Sequence, residues 1–185
     1  MYSFKAVAIV SGLLLFPVVA PLKLNITAIG ASHGRSTLEC WQLDDPFSPS
    51  SEPGSAAGPY TAQLGDLSNI TYTFIPPNYD QGFHTAPWPQ WVVFTTGLAH
   101  ITLPDDNSTG AYIFGGEFGV IFAADTPDVS LKGHRSQYPG DMMSIGLQIP
   151  TKDGEIPVHD ILHSGPCKLK ESYGLRELAL NVSLS

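Results

Sequence analysis

GFHTAPWPQWVVFTTG, residues 82–97, is the stretch of this chain that decides its fold. Within it, residues 90–96 form an aromatic and β-branched run bounded by Pro89 and Gly97, which is the composition of a β-strand. Similar short runs lie along the rest of the chain: Asn69–Ile75, Ala99–Leu103, Ala111–Phe114, Gly119–Ala124 and Ser144–Ile149. Turns containing Gly or Pro separate these runs, and no long amphipathic helix is evident. The pattern predicts an all-β antiparallel sandwich or barrel in one domain.

The first twenty residues indicate export. They combine one cation, Lys5, with an apolar stretch over residues 6–16 and small residues at positions 18–20. Such a segment is typical of a secretory signal peptide, so we expect a secreted, extracellular protein. Four Asn-x-Ser/Thr acceptor motifs for glycosylation agree with this expectation; they begin at Asn25, Asn69, Asn107 and Asn181.

The chain has two cysteines, Cys40 and Cys167. In an oxidising compartment a pair this far apart most simply forms one disulfide bond, and the alternative is two buried free thiols. A disulfide would tie the two ends of the domain together.

The sequence divides into four regions. Residues 44–59, DDPFSPSSEPGSAAGP, are dense in Pro, Ser and Gly, and they predict a mobile loop. The regions are a signal peptide at residues 1–20, an N-terminal strand and this loop at 21–65, the main β-barrel at 66–167, and a C-terminal strand or short helix packing on the barrel at 168–185.

Charge narrows the choice of partners. Lys and Arg number 9 against 17 Asp and Glu, which gives a formal net charge of −8. A nucleic acid or an anionic membrane surface is therefore a poor partner, because both carry negative charge. The acidity agrees with solubility outside the cell.

Three segments resemble the cupin superfamily, and more closely a group of small secreted cupin-like proteins of filamentous fungi. The segments read GFHTAPWPQWVVFTTGLAHITLP, GVIFAAD and GHRSQYPGD, and the resemblance covers about Asp66 to Cys167. It implies a jelly-roll β-barrel, and it implies a possible homodimer, because cupins often associate through sheet edges.

The resemblance also implies where a metal would bind in a cupin. His84 stands at the first histidine position of the first motif, Ala86 at the second, and Gln90 at the glutamate position. In the second motif, Ser144 stands at the histidine position and Gln148 at the asparagine position. One ligand of the expected four, His84, is kept. Since a transition metal needs about three protein ligands around one point, we expect no metal cofactor at these positions.

The same alignment also predicts which side chains of the strand at residues 144–149 face the interior. It directs Ser144, Gly146 and Gln148 inward and leaves Ile145 and Ile149 on the other side. Either that side is covered by terminal strands or a dimer partner, or the register is displaced by one residue.

Histidines offer an alternative metal site. His84, His100 and His134 all lie in or beside the segments that resemble cupins, so one divalent metal held by these three is a second hypothesis. A second motif that starts at Gly119 would place His134 at the asparagine position, and it would not restore the lost ligands.

Without a metal, the same region predicts an acid–base site. His84 and His134 are the candidate catalytic proton carriers, because imidazole titrates near neutral pH. The candidate substrate-binding residues supply hydrogen bonds, a positive charge and aromatic surface for an apolar or phenolic ligand. They are Gln90, Trp88, Phe94, His100, Arg135 and Tyr138.

Three functions follow from these residues, in order of preference. The first is a secreted cupin-like protein that binds a small hydrophobic or phenolic molecule and acts as a metal-independent lyase, isomerase or cyclase of fungal secondary metabolism. The second is a metal-dependent cupin oxidoreductase or dioxygenase. The third is a non-catalytic secreted interaction protein, for which a filled barrel and an exposed apolar patch would be evidence.

Overall fold

The computed structural model describes residues 21–50 and 60–171, and over this part of the chain the protein is all-β, as predicted. The described residues form thirteen strands, one short 3₁₀ turn, Lys152–Gly154, and a helical stretch over residues 169–171. The strands are β1 Lys23–Ser32, β2 Arg35–Pro46, β3 Ser48–Pro49, β4 Tyr60–Thr61, β5 Thr71–Ile75, β6 Tyr79–His84, β7 Gln90–Thr96, β8 Leu98–Leu103, β9 Asp106–Phe114, β10 Val120–Ala123, β11 His134–Tyr138, β12 Ser144–Pro150 and β13 His159–Ser164. The predicted signal peptide lies outside the described residues, and so do residues 172–185 of the predicted C-terminal strand or short helix.

The strands build two main sheets rather than a closed barrel. A seven-stranded sheet has the order β13-β2-β1-β10-β7-β12-β5, and a four-stranded sheet has the order β6-β11-β8-β9. A third pairing joins β3 to β4. Neighbouring strands in both main sheets are antiparallel except β1 and β10, which run parallel.

The N-terminal region is part of the main sheet. The hairpin of β1 and β2 lies between β13 and β10, so these two strands share a sheet with strands of residues 66–167. His33 (φ 52°) and Gly34 (φ 77°) make the two-residue turn between the strands, and two successive residues with positive φ are what a tight hairpin of right-handed twist requires. The alternation of apolar and polar residues along the chain did not predict β2.

Two apolar layers hold the sheets together. The layer between the sheets contains Ile29, Leu38, Ile75, Ala86, Val92, Phe94, Ala99, Ile101, Ala111, Ile113, Ile121, Ala123 and Tyr138. The layer on the other face of the large sheet contains Ile26, Ala28, Trp41, Leu43, Trp91, Phe122 and Ala124. Successive residues of β7 and β10 alternate between the layers because side chains of a strand alternate between its faces. Both faces of the large sheet are therefore apolar.

Strand β12 directs two of the three residues that the alignment placed inward toward the space between the sheets. Gly146 packs against the ring of Phe94, and Gln148 lines the space between the sheets. On the opposite face Ile149 packs against the second apolar layer. The other side of β12 is thus covered in part, and the pairing of β12 with β7 has an irregularity between Ile145 and Gly146.

The predicted disulfide between Cys40 and Cys167 is present, with the two Cα atoms 4.5 Å apart. It joins β2 to the segment that follows β13, across 127 residues of sequence. The backbone N–H of Cys167 also donates to Thr27 Oγ1 at 3.0 Å, so the segment is held on β1 as well.

The predicted glycosylation sites lie in different surroundings. Asn69 is exposed, whereas Asn25 is half-buried and its amide donates to the carbonyl of Glu171 at 2.9 Å and accepts from Gln42 at 3.0 Å. A glycan at Asn25 would be attached to the nitrogen that donates to Glu171. Asn107 lies in β9, and Asn181 lies outside the described residues.

In the part of the chain that the structure describes, no helix has the length and apolar character needed to cross a membrane.

We expect the double variant Cys40→Ala, Cys167→Ala to lose about 2 to 5 kcal/mol of unfolding free energy, because the long loop closed by the disulfide restricts the unfolded chain. Urea unfolding measures the change. Wild-type protein treated with a reductant is the control and should unfold at the urea concentration of the double variant. Equal stability of the double variant and the oxidised wild type would contradict the structural role of this bond.

Candidate functional site

A cavity of about 420 Å³ lies between the two sheets. Its wall is mostly apolar, and a few polar groups project into it. The lining residues are Ile29, Thr71, Gln81, His84, Ala86, Pro87, Trp88, Gln90, Val92, Phe94, Ile101, Ile121, Ala123, His134, Ser136, Tyr138, Gln148 and Pro150. The volume falls within the usual range for small-molecule sites.

The two candidate catalytic histidines are neighbours in this cavity. His84 on β6 and His134 on β11 are directly opposite one another in the antiparallel ladder, and side chains opposite one another lie on the same face of a sheet. Their ring centroids are 4.5 Å apart, with the planes tilted by 58°. Strand pairing therefore brings together two imidazoles that are fifty residues apart in sequence.

His134 is held by a buried carboxylate. Its Nδ1 lies 2.8 Å from Asp125 Oδ2, and Asp125 is fully buried just after the end of β10. The same oxygen accepts a hydrogen bond of 2.6 Å from the hydroxyl of Ser36. Ser36 Oγ is in turn 2.8 Å from Ser130 Oγ.

The directions of these hydrogen bonds can be assigned. The single proton of the Ser36 hydroxyl goes to Asp125, so the Ser130 hydroxyl must donate to Ser36. Ser130 Oγ then accepts from the backbone N–H of Gly133 at 3.1 Å. Every bond in the chain points toward Asp125 Oδ2, which is the arrangement that stabilises an ionised carboxylate. His134 completes the set as an Nδ1–H donor, and its Nε2 is left to face the cavity.

His84 has a different environment. Its Nδ1 lies 3.0 Å from the carbonyl oxygen of Gly82, and since a carbonyl can only accept, Nδ1 carries the proton. Burial, and then the charge of the neighbouring His134, lower the pKa of His84 below its ordinary value, although the Gly82 bond opposes the shift. Among the described residues, Nε2 of neither imidazole has a hydrogen-bond partner. The neutral form of His84 thus presents an acceptor nitrogen to the cavity.

Four of the predicted substrate-binding residues line the same cavity. Gln90 and Phe94 on β7 are buried, and Tyr138 on β11 is buried beside Ser136. Burial raises the pKa of the Tyr138 hydroxyl, and its hydrogen bond with Ser136 opposes this, so the phenol stays protonated at neutral pH. Trp88 is 64% exposed, which places it at the rim.

The other two predicted substrate-binding residues do not reach the cavity, because each lies on the outward face of its strand. Arg135 alternates with His134 and forms an ion pair with Asp80, with Nε 3.1 Å from Asp80 Oδ1. Its guanidinium holds the pKa of Asp80 down, to about 2. His100 alternates with the inward-facing Ile101 and stacks on a neighbouring ring, Tyr112, at 4.1 Å between centroids.

The outward position of His100 also bears on the alternative metal site. His84, His100 and His134 do not converge on one point, because the first and last face the cavity and His100 does not. Among the described residues, the one group of three potential ligands with atoms within 4.8 Å of each other is Cys40, His163 and Glu171. Cys40 is disulfide-bonded and offers no thiolate. The absence of a metal cofactor stays a prediction.

Sequence reasoning missed the residues that hold His134. Asp125 ends the segment GVIFAAD, which the sequence analysis singled out for its resemblance and not for its carboxylate. The sequence signal that could have identified Asp125 is a charged residue directly after an apolar run. Ser36 and Ser130 carried none, because the Ser36 hydroxyl reaches Asp125 from 89 residues away in sequence and Ser130 acts through Ser36.

Comparison of the chain with protein-family models, with curated proteins and with solved structures finds no match in any of the three.

We expect Gly133→Ala to destabilise the protein far more than Gly65→Ala. Both glycines have positive φ, 68° and 84°, so both substitutions carry a left-handed backbone cost of about 1 to 2 kcal/mol. A Cβ at Gly133 would also lie 1.9 Å from the carbonyl oxygen of His84, whereas one at Gly65 meets nothing within 4 Å. The extra loss at Gly133 should be about 2 kcal/mol or more in urea unfolding. Equal losses would contradict the close approach of β6 to Gly133.

Proposed function

We propose that this protein is an exported, cupin-like jelly-roll protein that binds a small, uncharged hydrophobic or phenolic molecule between its sheets. We propose further that it acts on this molecule as a metal-independent lyase, isomerase or cyclase. The observation that carries the proposal is the pair of adjacent imidazoles, one of them bonded to a buried carboxylate, on the wall of an apolar cavity.

The lining of the cavity supports this ligand class. It contains aliphatic and aromatic side chains and no Asp, Glu, Lys or Arg. A charged ligand would lose its hydration there without gaining a counter-charge beyond the histidines, which is costly. Gln90, Gln148 and Tyr138 offer hydrogen bonds to a hydroxyl or carbonyl group on an otherwise apolar molecule.

The imidazole pair supports the reaction class. Lyases, isomerases and cyclases of small molecules need a proton removed at one atom and delivered at another, and imidazole does both near neutral pH. The hydrogen bonds to Gly82 and Asp125 hold both rings with Nδ1 protonated. Both Nε2 atoms are then available to a ligand.

The proposed relationship to cupins gains support from the positions of the motif residues. His84, Ala86 and Gln90 line one cavity, as the ligand positions of a cupin would. Ser144, at the second-motif histidine position, instead accepts a hydrogen bond from the backbone N–H of Leu98 at 3.2 Å. Three of the four ligand positions thus hold an alanine, an amide and a serine that is bonded to the backbone. Proton transfer is therefore better supported than metal-dependent chemistry. The disulfide and the exposed Asn69 acceptor support export.

The unfilled interior favours a ligand-binding protein over a non-catalytic secreted interaction protein, for which we expected a filled interior. The outward position of His100 disfavours the oxidoreductase that would hold a metal at His84, His100 and His134.

We expect the purified protein to bind 2-naphthol, a small uncharged phenol, and to report binding by quenching of Trp88 fluorescence. Trp88→Ala should weaken binding about 2- to 10-fold, measured by calorimetry, because an aromatic contact contributes about 0.5 to 1.5 kcal/mol. Tyr112→Ala is the matched control: Tyr112 is 60% exposed against 64% for Trp88, but it does not line the cavity. Absence of binding at millimolar 2-naphthol would overturn the proposal, as would equal weakening by the two variants.

A further inference from the structure

The two imidazoles of the cavity differ in the group that accepts a hydrogen bond from Nδ1. His134 Nδ1 donates to a buried carboxylate, that of Asp125, at 2.8 Å. His84 Nδ1 instead donates to a neutral backbone carbonyl, that of Gly82, at 3.0 Å. Because a carboxylate stabilises a neighbouring cation far more than a carbonyl does, a proton shared by the pair belongs on His134.

Asp125 is itself fixed in place. Its Oδ2 receives hydrogen bonds from Ser36 and His134, and Ser36 is supported by Ser130. The side chain is completely buried, and its Oδ1 has no hydrogen-bond partner among the described residues. A carboxylate buried this deeply is stable beside an opposite charge, and His134 is the group that can supply one.

We infer that Asp125 is a positioning residue that makes His134 the proton donor and leaves His84 as the proton acceptor, and that the pair shifts a proton within an enolisable carbonyl compound. This inference rests on the proposed function of the cavity and names its substrate class. The inferred substrate is uncharged and carries an aromatic or aliphatic ring system next to a ketone.

The step balances without any other reactant. Nε2 of neutral His84 removes a proton from the carbon next to the carbonyl, and the C–H electron pair becomes the new C=C bond. The C=O π pair takes the proton from Nε2 of protonated His134, which gives the enol. The pair carries one positive charge before and after the step. Reversal, with the proton returned to the same or another carbon, restores both imidazoles.

The surroundings of the pair agree with these roles. His84 faces His134 and, at longer range, Asp125, and its lowered pKa keeps it neutral and able to accept at neutral pH. Tyr138, on the same wall, stays a neutral phenol. The charged groups of the neighbouring ion pair, Asp80 and Arg135, lie on the outward face of the sheet.

Deuterium exchange into 2-tetralone, a ketone with an enolisable benzylic C1 methylene, tests the inference. Proton NMR in D₂O follows the loss of the C1–H signal, and displacement of 2-naphthol measures the affinity of 2-tetralone for each variant. We expect wild-type protein to accelerate exchange above buffer and His84→Gln to reduce the protein-dependent rate about 100-fold or more, since general base catalysis contributes factors of about 10² to 10⁴. His163→Gln, a histidine next to the disulfide and outside the cavity, should exchange like wild type.

Asp125→Asn tests the positioning role. It should lower exchange at least about tenfold, with 2-tetralone affinity within about twofold of wild type, because Asn retains the shape and loses the charge. The pH above which exchange ceases should also be lower in this variant than in wild type. Loss of a residue with only a structural role would not shift this pH. If Asp125→Asn does not fold, Ser36→Ala, which removes one hydrogen bond to Oδ2, should give a smaller loss in the same direction.

The outcomes separate the two proposals. If neither 2-naphthol nor 2-tetralone binds, the proposed function fails. If both bind, and wild type gives no exchange above buffer or His84→Gln exchanges like wild type, the inference is overturned while the binding function stands. If Asp125→Asn keeps the wild-type rate and pH range, its positioning role is overturned.

Discussion

The hydrogen bond between Asp125 and His134 links the two sheets through their polar groups. Asp125 follows β10 of the large sheet, and His134 begins β11 of the small one. The bond is buried on both sides, and removal of one partner of such a pair generally costs about 3 to 5 kcal/mol because the other charge is left without compensation. The same carboxylate oxygen accepts from the Ser36 hydroxyl, which Ser130 supports in turn. The orientation of His134, and with it the polar wall of the cavity, depends on this contact.

The cavity itself results from small or absent side chains on the inward faces. Ala86, Ala123 and Gly146 lie where larger residues would fill the space between the sheets. Apolar residues from both sheets close the rest of the wall, so a ligand would meet few polar groups. In such surroundings the electrostatic effect of each polar group is strong, because little water screens it. Two imidazoles with different partners are then sufficient to give the cavity a proton-accepting and a proton-donating side.

The sequence predicted the elements that depend on local pattern. Strand β7 has the predicted bounds, the disulfide pairing is confirmed, and Trp91 and Phe94 fall on opposite faces, as strand alternation requires. Sequence patterns did not predict the features that depend on residues far apart in the chain. Strand β2 carries polar residues on both faces and was missed; Arg135 and His100 were assigned to a site that their positions in the strands exclude. The partnership of Ser36 with Asp125 depends on the parallel pairing of β1 with β10, which no single-sequence pattern reveals.

Imidazole ¹⁵N NMR of the uniformly labelled protein near neutral pH tests the account most directly, because it observes which ring nitrogen carries a proton. We expect the Nδ1–H of His134 to appear as a downfield proton resonance that exchanges slowly with water, as a buried hydrogen bond to a carboxylate would produce. We expect His84 to be neutral with its proton on Nδ1. A neutral His134 with its proton on Nε2, or an Nδ1 proton that exchanges freely with solvent, would contradict the link between Asp125 and His134.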